Sequence, residues 1–408
     1  MSKSISSSDK EAFKQAFTGV TSESKFVRQM YAIAKAYGYK LDKFSVKQLR
    51  FLAHPEALKN RYKSFTIPKK SGGTRIIHAP HERLKYVLKL FDLLLRTVFD
   101  THEAANGFVN DRSIVDNARM HVQSNFILNV DLKDFFDSFD RNQIKMFFYK
   151  HLTQGNEKLA FILASLVTNP FVVDGGERFT LPQGSPVSPY LTNLLCKKLD
   201  KDLTSFAARK NVKYSRYADD ITFSSQQNVF DQSFMEDFKS IIKNHRLQLN
   251  PKKTRLQSKA YRQEVTGIIT NQKLNVRRAY VKDLRLYIHW IEKYSIDQAQ
   301  NMFLDHYAKT GRTLKKNARI QNVVDGKLHF MSMVKGTQDP TYNKLRVRFR
   351  AAIKDGKKHH GQEIEVLSDE EAEMVINNHF QEVEMEKTLD LLIEGKWEEA
   401  KERISPKT

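Results

Sequence analysis

The sequence predicts an α+β fold in which a small β-sheet carries helices on one face. Three observations indicate it. A strand-like apolar run, Phe-Ile-Leu-Asn-Val-Asp-Leu at 126–132, precedes helical segments, and two further strand-like runs flank Tyr-Ala-Asp-Asp at 217–220. Helical periodicity covers the chain before residue 60 and most of it after residue 279. Strands and helices therefore share one sheet-containing unit between two helical regions.

The first half of the chain divides into seven expected elements. Apolar residues recur every three or four positions in the helices, and a Ser-Gly-Gly turn between two β-type runs predicts the first hairpin. The expected elements are a helical region to residue 60, a hairpin at 65–78, a helix at 81–99, a loop at 105–114, a strand at 126–132 and helices at 140–152 and 157–168.

The second half begins with Leu-Pro-Gln-Gly-Ser-Pro-Val-Ser-Pro at 181–189, which interrupts regular structure because it combines three prolines with a glycine. The expected elements after it are a helix at 190–209, the hairpin around 217–220, a helix at 230–245, strands and turns at 247–254 and 264–271, a basic helical region at 279–352 and two acidic helices at 370–379 and 382–403. No internal repeat is evident.

Composition narrows the class of function. The chain has 408 residues, 40% of them hydrophobic, which suffices for a packed core and more than one domain. A net charge of +21 indicates a polyanionic partner or an anionic membrane surface. The single cysteine, Cys196, excludes a disulfide scaffold and a zinc ribbon and indicates a reducing compartment. With no apolar run of about 18 residues, we expect a cytoplasmic protein that does not bind membranes.

The charge is unevenly distributed. Residues 362–408 contain 14 acidic and five basic side chains, a net charge of −9, so the other 361 residues carry +30. The basic body and the acidic tail are expected to be separate units. The tail is interpreted as a solvated helical appendage, with docking of an effector protein or shielding of basic surface as the alternative.

Two adjacent carboxylates mark the candidate reaction centre. Asp219 and Asp220 stand at a predicted hairpin turn, and Asp131 stands at the end of an apolar strand, where an unpaired charge is costly. Nucleotidyl transfer uses two divalent ions about 3.5 to 4 Å apart, held by bridging carboxylates. An Asp-Asp turn alone would be ordinary turn chemistry. Together with Asp131, it predicts a two-metal site if strand end and turn are neighbours.

Three cations cluster at the tip of the first hairpin. Lys69, Lys70 and Arg75 have no acidic residue nearby in the sequence, and such groups pair well with triphosphate oxygens. The alternative is a solvated hairpin tip.

These segments resemble the three palm motifs of reverse transcriptases, in order and at suitable spacing: residues 126–136, 181–189 and 216–220. The resemblance extends over roughly 65–336. It implies a right-hand polymerase with fingers, an antiparallel palm sheet with helices on one face and a helical thumb. It also implies two Mg²⁺ ions held by Asp131, Asp219 and Asp220, and deoxynucleoside triphosphates as substrates bound by the hairpin cations.

The same resemblance implies roles for four further residues. Phe136 would be the aromatic gate that excludes a ribose 2′-hydroxyl, although a core aromatic is the alternative. Gln183 and Gly184 would let the backbone approach the nucleotide and template, which suits a residue without a β-carbon. Lys253 would protonate pyrophosphate, although Lys252 beside it leaves that choice open.

Two short matches favour the retron group of bacterial reverse transcriptases. Asn-Ala-Arg-Met-His at 117–121 resembles its Asn-Ala-x-x-His signature, with Asn117 and His121, and Val265-Thr266-Gly267 resembles its Val-Thr-Gly signature. The group implies a cognate structured non-coding RNA, DNA synthesis from the 2′-hydroxyl of an internal guanosine and a branched RNA-linked single-stranded DNA. It also implies antiphage defence with a separately encoded effector protein.

The region after residue 276 resembles a thumb that tracks an A-form duplex. Its basic residues include Arg277, Arg278, Lys315 and Lys316, and a solvated helical bundle is the alternative. No ribonuclease H domain is evident, so a host ribonuclease H is expected to remove the template. The expected domains are an N-terminal region at 1–60, fingers at 61–130, palm at 131–275 with a fingers insertion around 140–180, thumb at 276–352 and acidic extension at 353–408.

Other classes remain open. A group II intron reverse transcriptase shares the palm motifs but normally adds a basic splicing region, and a diversity-generating type is disfavoured by Gln-Gly-Ser-Pro at 183–186. An RNA-binding scaffold with an inactive palm is opposed by the presence of all three carboxylates.

Overall fold

The computed structural model describes residues 7–17, 19–41, 44–57, 61–68, 73–173, 175–309 and 318–359. In these ranges the helices are α1 (Ser7–Ala16), α2 (Glu23–Ala36), α3 (Val46–Ala53), α4 (Glu82–Val98), α5 (Ile114–Arg119), α6 (Arg141–His151), α7 (Glu157–Val167), α8 (Ser188–Leu195), α9 (Lys197–Arg209), α10 (Gln232–Asn244), α11 (Arg278–Lys293), α12 (Ile296–Lys309), α13 (Ile320–Lys335) and α14 (Pro340–His359). The strands are β1 (Tyr62–Pro68), β2 (Thr74–Pro80), β3 (Phe126–Asp131), β4 (Asn169–Val173), β5 (Gly176–Thr180), β6 (Lys213–Tyr217), β7 (Asp220–Ser225), β8 (Arg255–Ser258), β9 (Glu264–Val265) and β10 (Ile268–Ile269).

The chain forms two compact units, each made of two stretches of sequence. Unit 1 contains Met1–Ser113 and Asn125–Ser258, whereas unit 2 contains Ile114–Ser124 and the described chain after Ser258. The expected boundaries at residues 61 and 131 fall inside unit 1, and the boundary at 276 falls inside unit 2. The division into fingers, palm and thumb stays a proposal.

The centre of unit 1 is a four-stranded antiparallel sheet in the order β6-β7-β3-β8. One face packs on helices: the Phe223 ring of β7 contacts Phe206 of α9 and Phe234 and Phe238 of α10 in edge-to-face geometry. These rings are buried. The predicted α+β class, an antiparallel sheet with helices on one face, is confirmed.

Helices and a hairpin complete unit 1. Residues expected to be helical up to 60 form α1, α2 and α3, and the Phe26 ring of α2 lies 5.2 Å, edge-on, from Phe91 of α4. Strands β1 and β2 pair antiparallel, with Ile67 opposite Arg75, which confirms the first hairpin.

Two expectations for unit 1 were incomplete. The helix expected at 190–209 is two helices, α8 and α9, that meet at Cys196. The backbone N–H of Cys196 donates to the Thr192 carbonyl and the Cys196 carbonyl accepts from the Asp200 N–H, so backbone hydrogen bonds continue across the boundary between the two helices. The β4–β5 hairpin was not predicted, although Asp-Gly-Gly at 174–176 follows an apolar run, which is a turn signal.

Unit 2 joins a short helix and a small hairpin to a helical bundle. The hydroxyl of Thr266, between β9 and β10, donates to the Ile114 carbonyl of α5 at 3.0 Å. In the bundle, the Tyr287 ring of α11 meets Phe303 of α12 edge-on, and Arg348 of α14 forms a bidentate ion pair with Glu292. The expected helical region at 279–352 is confirmed where it is described. The acidic helices expected at 370–379 and 382–403 lie outside the described residues.

None of the helices in the described ranges is both long enough and apolar enough to cross a membrane.

Candidate active site

A two-residue turn carries the first of the candidate carboxylates. Tyr217 pairs with Asp220, which leaves Ala218 and Asp219 at the tip of the β6–β7 hairpin. Ala218 has φ +55°, the left-handed conformation that tight hairpin turns require. The predicted hairpin is confirmed, and Asp219 projects from a turn that constrains the backbone.

The register of the sheet brings Asp131 beside this turn. Asp131, the last residue of β3, pairs directly with Asp220 of β7, and the Leu132 backbone N–H donates to the Asp219 carbonyl at 3.0 Å. Directly paired residues on neighbouring antiparallel strands point to the same face. The strand end and the turn are therefore neighbours, as the two-metal hypothesis requires.

Desolvation and repulsion by neighbouring carboxylates raise the pKa of Asp219 and Asp220. Burial, followed by the negative charge of Asp131, raises the pKa of Asp219, while Lys253 and Arg75 lower it. Asp220 is exposed, yet desolvation by the protein around it, with the charges of Asp219 and Asp131, raises its pKa to about 7. Such a cluster gains stability from a cation.

Two residues hold the Asp131 side chain. The Lys253 ammonium lies 2.7 Å from Oδ2 of Asp131, and the Asn250 side-chain amide donates to Oδ1 at 3.0 Å. The Asn250 backbone N–H also donates to the Asp131 carbonyl at 2.8 Å. Sequence reasoning missed Asn250, although Asn-Pro is a recognisable turn signal.

The donor set suits magnesium. Asp131, Asp219 and Asp220 supply carboxylate oxygens, the ligands that Mg²⁺ prefers. Within the described ranges, no three His, Cys, Asp or Glu side chains already surround one point. The residues therefore fit a metal site in chemistry and in backbone position, and their side chains would reorient to bind the ions.

The candidate nucleotide residues are also in unit 1. Arg75 lies on β2, near enough for its charge to lower the pKa of Asp219, whereas Lys69 and Lys70 lie outside the described residues. Phe136 is half-buried, packs against the core and meets Phe135 edge-on at 5.6 Å. Both the gate and the core interpretation of Phe136 remain consistent with this position.

The Gln183–Gly184 segment is attached to β2. The Gln183 carbonyl accepts from the His78 backbone N–H at 2.8 Å. Gly184 has φ +120°, and a β-carbon there would stand 2.8 Å from Cγ2 of Ile77 and 2.9 Å from the His78 carbonyl oxygen. The missing β-carbon thus lets Gly184 pack against β2, which the sequence did not predict. The approach of this segment to nucleotide and template stays a proposal.

Comparison with known proteins identifies the family. Residues 67–276 match the family model described as reverse transcriptase (RNA-dependent DNA polymerase). The chain belongs to the reverse transcriptase family. Members of this family generally use divalent metal ions and deoxynucleoside triphosphates.

Three relatives place this reverse transcriptase among the retron enzymes. The retron Ec86 reverse transcriptase of Escherichia coli is 34% identical over 62% of this chain and 76% of its own length. The retron Mx162 and Mx65 reverse transcriptases of Myxococcus xanthus are 34% and 32% identical, and the matches span 58% and 61% of their lengths. The predicted retron resemblance is confirmed, and the chain spans less than two thirds of the two Myxococcus relatives.

Among solved structures, a telomerase from Candida albicans in complex with a fragment of telomeric RNA is 12% identical, with 90% of this chain and 74% of that chain covered and a TM-score of 0.43. A likeness of this degree carries no argument about the function of this reverse transcriptase.

The two retron-like signatures lie together in unit 2. Asn117 and His121 belong to α5 and the turn after it. Val265 ends β9, and Thr266 and Gly267 form the turn to β10 that bonds to α5. Asn117, His121 and Val265 are fully buried, whereas Thr266 is half-buried and Gly267 is exposed. The Asn117, His121 and Val265 side chains have no exposed surface, and their assignment to RNA binding stays a proposal.

The predicted basic RNA contacts are partly described. Arg277 and Arg278 are exposed at the start of α11, and the Arg277 guanidinium pairs with the buried Glu264 beside the Val-Thr-Gly turn. Lys315 and Lys316 lie outside the described residues. Arg277 thus connects the turn to the start of α11 within unit 2.

Proposed function

We propose that this reverse transcriptase copies a cognate structured non-coding RNA from the 2′-hydroxyl of an internal guanosine into branched, RNA-linked single-stranded DNA. The register that sets Asp131 opposite Asp220, beside the turn that carries Asp219, is the observation that supports catalysis. The retron relatives support the choice of template.

The proposed reaction uses the chain's own groups as follows. Asp131, Asp219 and Asp220 would hold two Mg²⁺ ions. When bound, these ions would lower the pKa of the attacking hydroxyl and stabilise the departing pyrophosphate. Lys253, whose ammonium lies beside Asp131, would donate a proton to the pyrophosphate oxygen. Asn250 keeps the Asp131 carboxylate oriented.

Substrate recognition is assigned to residues of the first hairpin and of two further segments of unit 1. Arg75, with Lys69 and Lys70, would bind the triphosphate. Phe136 would exclude a ribose 2′-hydroxyl, and Gln183 and Gly184 would border the nucleotide and template.

RNA recognition is assigned to unit 2. The exposed turn around Gly267 and the cations Arg277 and Arg278, with Lys315 and Lys316, would contact phosphates and 2′-hydroxyls. Asn117, His121 and Val265 would support that turn from inside, next to Thr266.

The setting of the reaction is part of the same proposal. We place the protein in the cytoplasm, in an antiphage defence system with a separately encoded effector protein, and with a host ribonuclease H that removes the template. The DNA that flanks the gene is expected to encode a structured inverted-repeat RNA and an effector.

Primer extension with Mg²⁺ tests the catalytic part. Asp219→Asn is expected to lower incorporation on the order of 100-fold or more, the loss typical when one group that stabilises transition-state charge is removed. Asp237→Asn is the matched control, because Asp237 is an exposed aspartate of α10 that pairs with Lys210 at 2.8 Å. Equal incorporation by wild type and Asp219→Asn would favour the inactive-scaffold alternative.

Isolation of the product from cells tests the retron part. Expression of the gene with its flanking DNA is expected to yield a species in which single-stranded DNA stays attached to RNA until a 2′,5′-debranching enzyme is added. Purely linear DNA would favour a group II intron-like activity.

A further inference from the structure

A fully buried arginine lies directly behind the catalytic turn. The Arg216 side chain on β6 has no exposed surface, and neither has its partner Asp200 on α9. Arg216 Nε donates to Oδ1 of Asp200 at 2.8 Å, and Nη2 donates to Oδ2 at 2.6 Å. This bidentate pair fixes the plane of the guanidinium.

The remaining arginine nitrogen reaches the turn itself. Nη1 of Arg216 donates to the Ala218 carbonyl at 3.0 Å and to the side-chain oxygen of Asn193 at 3.0 Å. The Ala218 carbonyl belongs to the peptide group whose nitrogen is that of Asp219. One guanidinium therefore ties the peptide plane before Asp219 to two side chains of α8 and α9.

The backbone of residues 104–107 contacts the same turn and the β6 residue before it. The Arg216 N–H donates to the Ala104 carbonyl at 2.8 Å, and the Asn106 N–H donates to the Arg216 carbonyl at 2.7 Å. A β-carbon on Gly107 would stand 2.6 Å from the Ala218 nitrogen, so only glycine allows this approach. The Asn193 amide donates to the Gly107 carbonyl at 2.7 Å and so links segment and arginine.

The energetics of this cluster argue for a geometric role. Burying an ion pair gives little net stability, and well-packed apolar residues of similar volume often stabilise a fold as well or better. Burial lowers the pKa of Arg216, but the charge and hydrogen bonds of Asp200, together with Cys196 and Tyr214, outweigh burial and raise that pKa, so the guanidinium stays charged. What apolar residues cannot supply is a fixed hydrogen bond to the Ala218 carbonyl.

We propose that Arg216, oriented by Asp200 and Asn193, is a positioning residue that sets the peptide plane before Asp219 and thereby aims the Asp219 carboxylate for cation binding. This inference rests on the proposed polymerase function. It assigns the three residues a part in metal affinity, beyond their part in the stability of unit 1.

Arg216→Lys tests the proposal, because lysine keeps the buried charge but lacks the planar fork that reaches Asp200 and Ala218 together. The matched control is Arg61→Lys. Arg61 is an equally buried arginine of unit 1, 4% exposed, that donates to the Ser165 and Leu166 carbonyls and does not contact the turn.

Three measurements on the full chain separate positioning from stability: the thermal midpoint, Mn²⁺ binding by electron paramagnetic resonance without nucleic acid, and primer-extension kinetics over a Mg²⁺ titration. Both variants are expected to lower the thermal midpoint. Only Arg216→Lys is expected to weaken Mn²⁺ binding, by about 10-fold as is common when a group that orients a metal ligand is lost. It should raise the Mg²⁺ requirement and lower kcat, with the KM for nucleotide unchanged.

Equal Mn²⁺ affinity in Arg216→Lys and Arg61→Lys would overturn the positioning role. If Arg216→Lys does not fold, Asn193→Ala serves instead, because it leaves the Arg216–Asp200 pair intact and removes one support of the fork and of Gly107; unchanged Mn²⁺ affinity there would also overturn it. A wild-type protein that neither binds Mn²⁺ nor extends primers would refute the proposed function instead.

Discussion

Asn250 lies outside the three motif segments at 126–136, 181–189 and 216–220, yet it contacts Asp131 directly. Its side chain and its backbone N–H both donate to Asp131, and the 3₁₀ turn that it begins delivers Lys253 to the same carboxylate. A group that orients a metal ligand commonly matters nearly as much as the ligand itself. The turn from Asn250 to Lys253 is thus one structural unit that holds one aspartate.

Asn250→Ala is expected to lower primer-extension kcat by about 10- to 100-fold, because the Asp131 carboxylate loses one of its two side-chain partners. The backbone hydrogen bond remains, so stability should change by only about 1 kcal/mol. Asn125→Ala is the control, since the Asn125 amide donates to the Gln226 carbonyl at the other end of the same sheet. Similar kcat losses in both variants would contradict a specific role for Asn250.

His78 offers a test of pH dependence. Burial lowers its pKa to about 4, its ring stacks on Phe171 at 4.0 Å between centroids, and Nδ1 lies 2.7 Å from the Ser64 hydroxyl. The unfolded chain, with a pKa of about 6.5, binds a proton that the folded chain does not. Stability from neutral His78 is therefore complete above about pH 6.5 and is lost as the pH falls toward 4.

The expected result is that the urea midpoint of the wild type falls more between pH 7 and pH 5 than that of His78→Phe, which keeps the ring and cannot titrate. The free energy of unfolding of the wild type should fall by roughly 1 to 2 kcal/mol more than that of His78→Phe over this pH range, allowing for the partial exposure of the ring. Parallel pH profiles would show that His78 does not titrate differently on folding.

At the scale of elements, β2 and the segment at 182–185 show what sequence reasoning could and could not supply. Local patterns predicted β3, the two hairpins and the glycine-proline interruption, because turn chemistry and periodicity act over a few residues. The strand that Gly184 faces was not predictable, since contact with Ile77 depends on packing across about 100 residues of sequence. The pairing of Asp131 with Asp220 depends on long-range strand register in the same way, and the pairing of Arg216 with Asp200 depends on how α9 packs against β6.

Gly184→Ala is expected to push β2 away from this segment. Positive φ alone costs about 1 kcal/mol for alanine, and the clash with Ile77 and the His78 carbonyl adds to it. Gly38→Ala is the matched control, because Gly38 has φ +75° and open space within 4 Å of an added β-carbon. Gly184→Ala should lower the unfolding midpoint distinctly more than Gly38→Ala; equal losses would mean that the clash relaxes.

At the scale of the whole molecule, charge is the dominant property. Residues 1–361 carry +30, and every described cation assigned to RNA contact is exposed. If about six to ten phosphates are neutralised, affinity for a structured RNA should fall about 10³- to 10⁵-fold between 50 and 200 mM salt.

A filter-binding titration at several salt concentrations measures that slope. Arg278→Gln should reduce the slope by about one without changing the preference between RNA sequences. A DNA duplex of equal length is the control for shape, since a surface that reads A-form geometry should bind it more weakly at every salt concentration. A nearly flat salt dependence would exclude phosphate contact as the basis of the net charge.

The long sequence separation inside the catalytic sheet also governs how the protein is made. β3 is flanked by β7 and β8, and the groups that hold Asp131 lie 119 and 122 residues further along the chain. A ribosome that adds about 5–20 residues per second needs roughly 6 to 24 seconds to make that stretch. The nascent β3 lacks both neighbours until β7 has been made, and it keeps one unpaired edge until β8 follows Lys253, so the groups that hold Asp131 and the last strand pairing of the sheet are both completed late in synthesis.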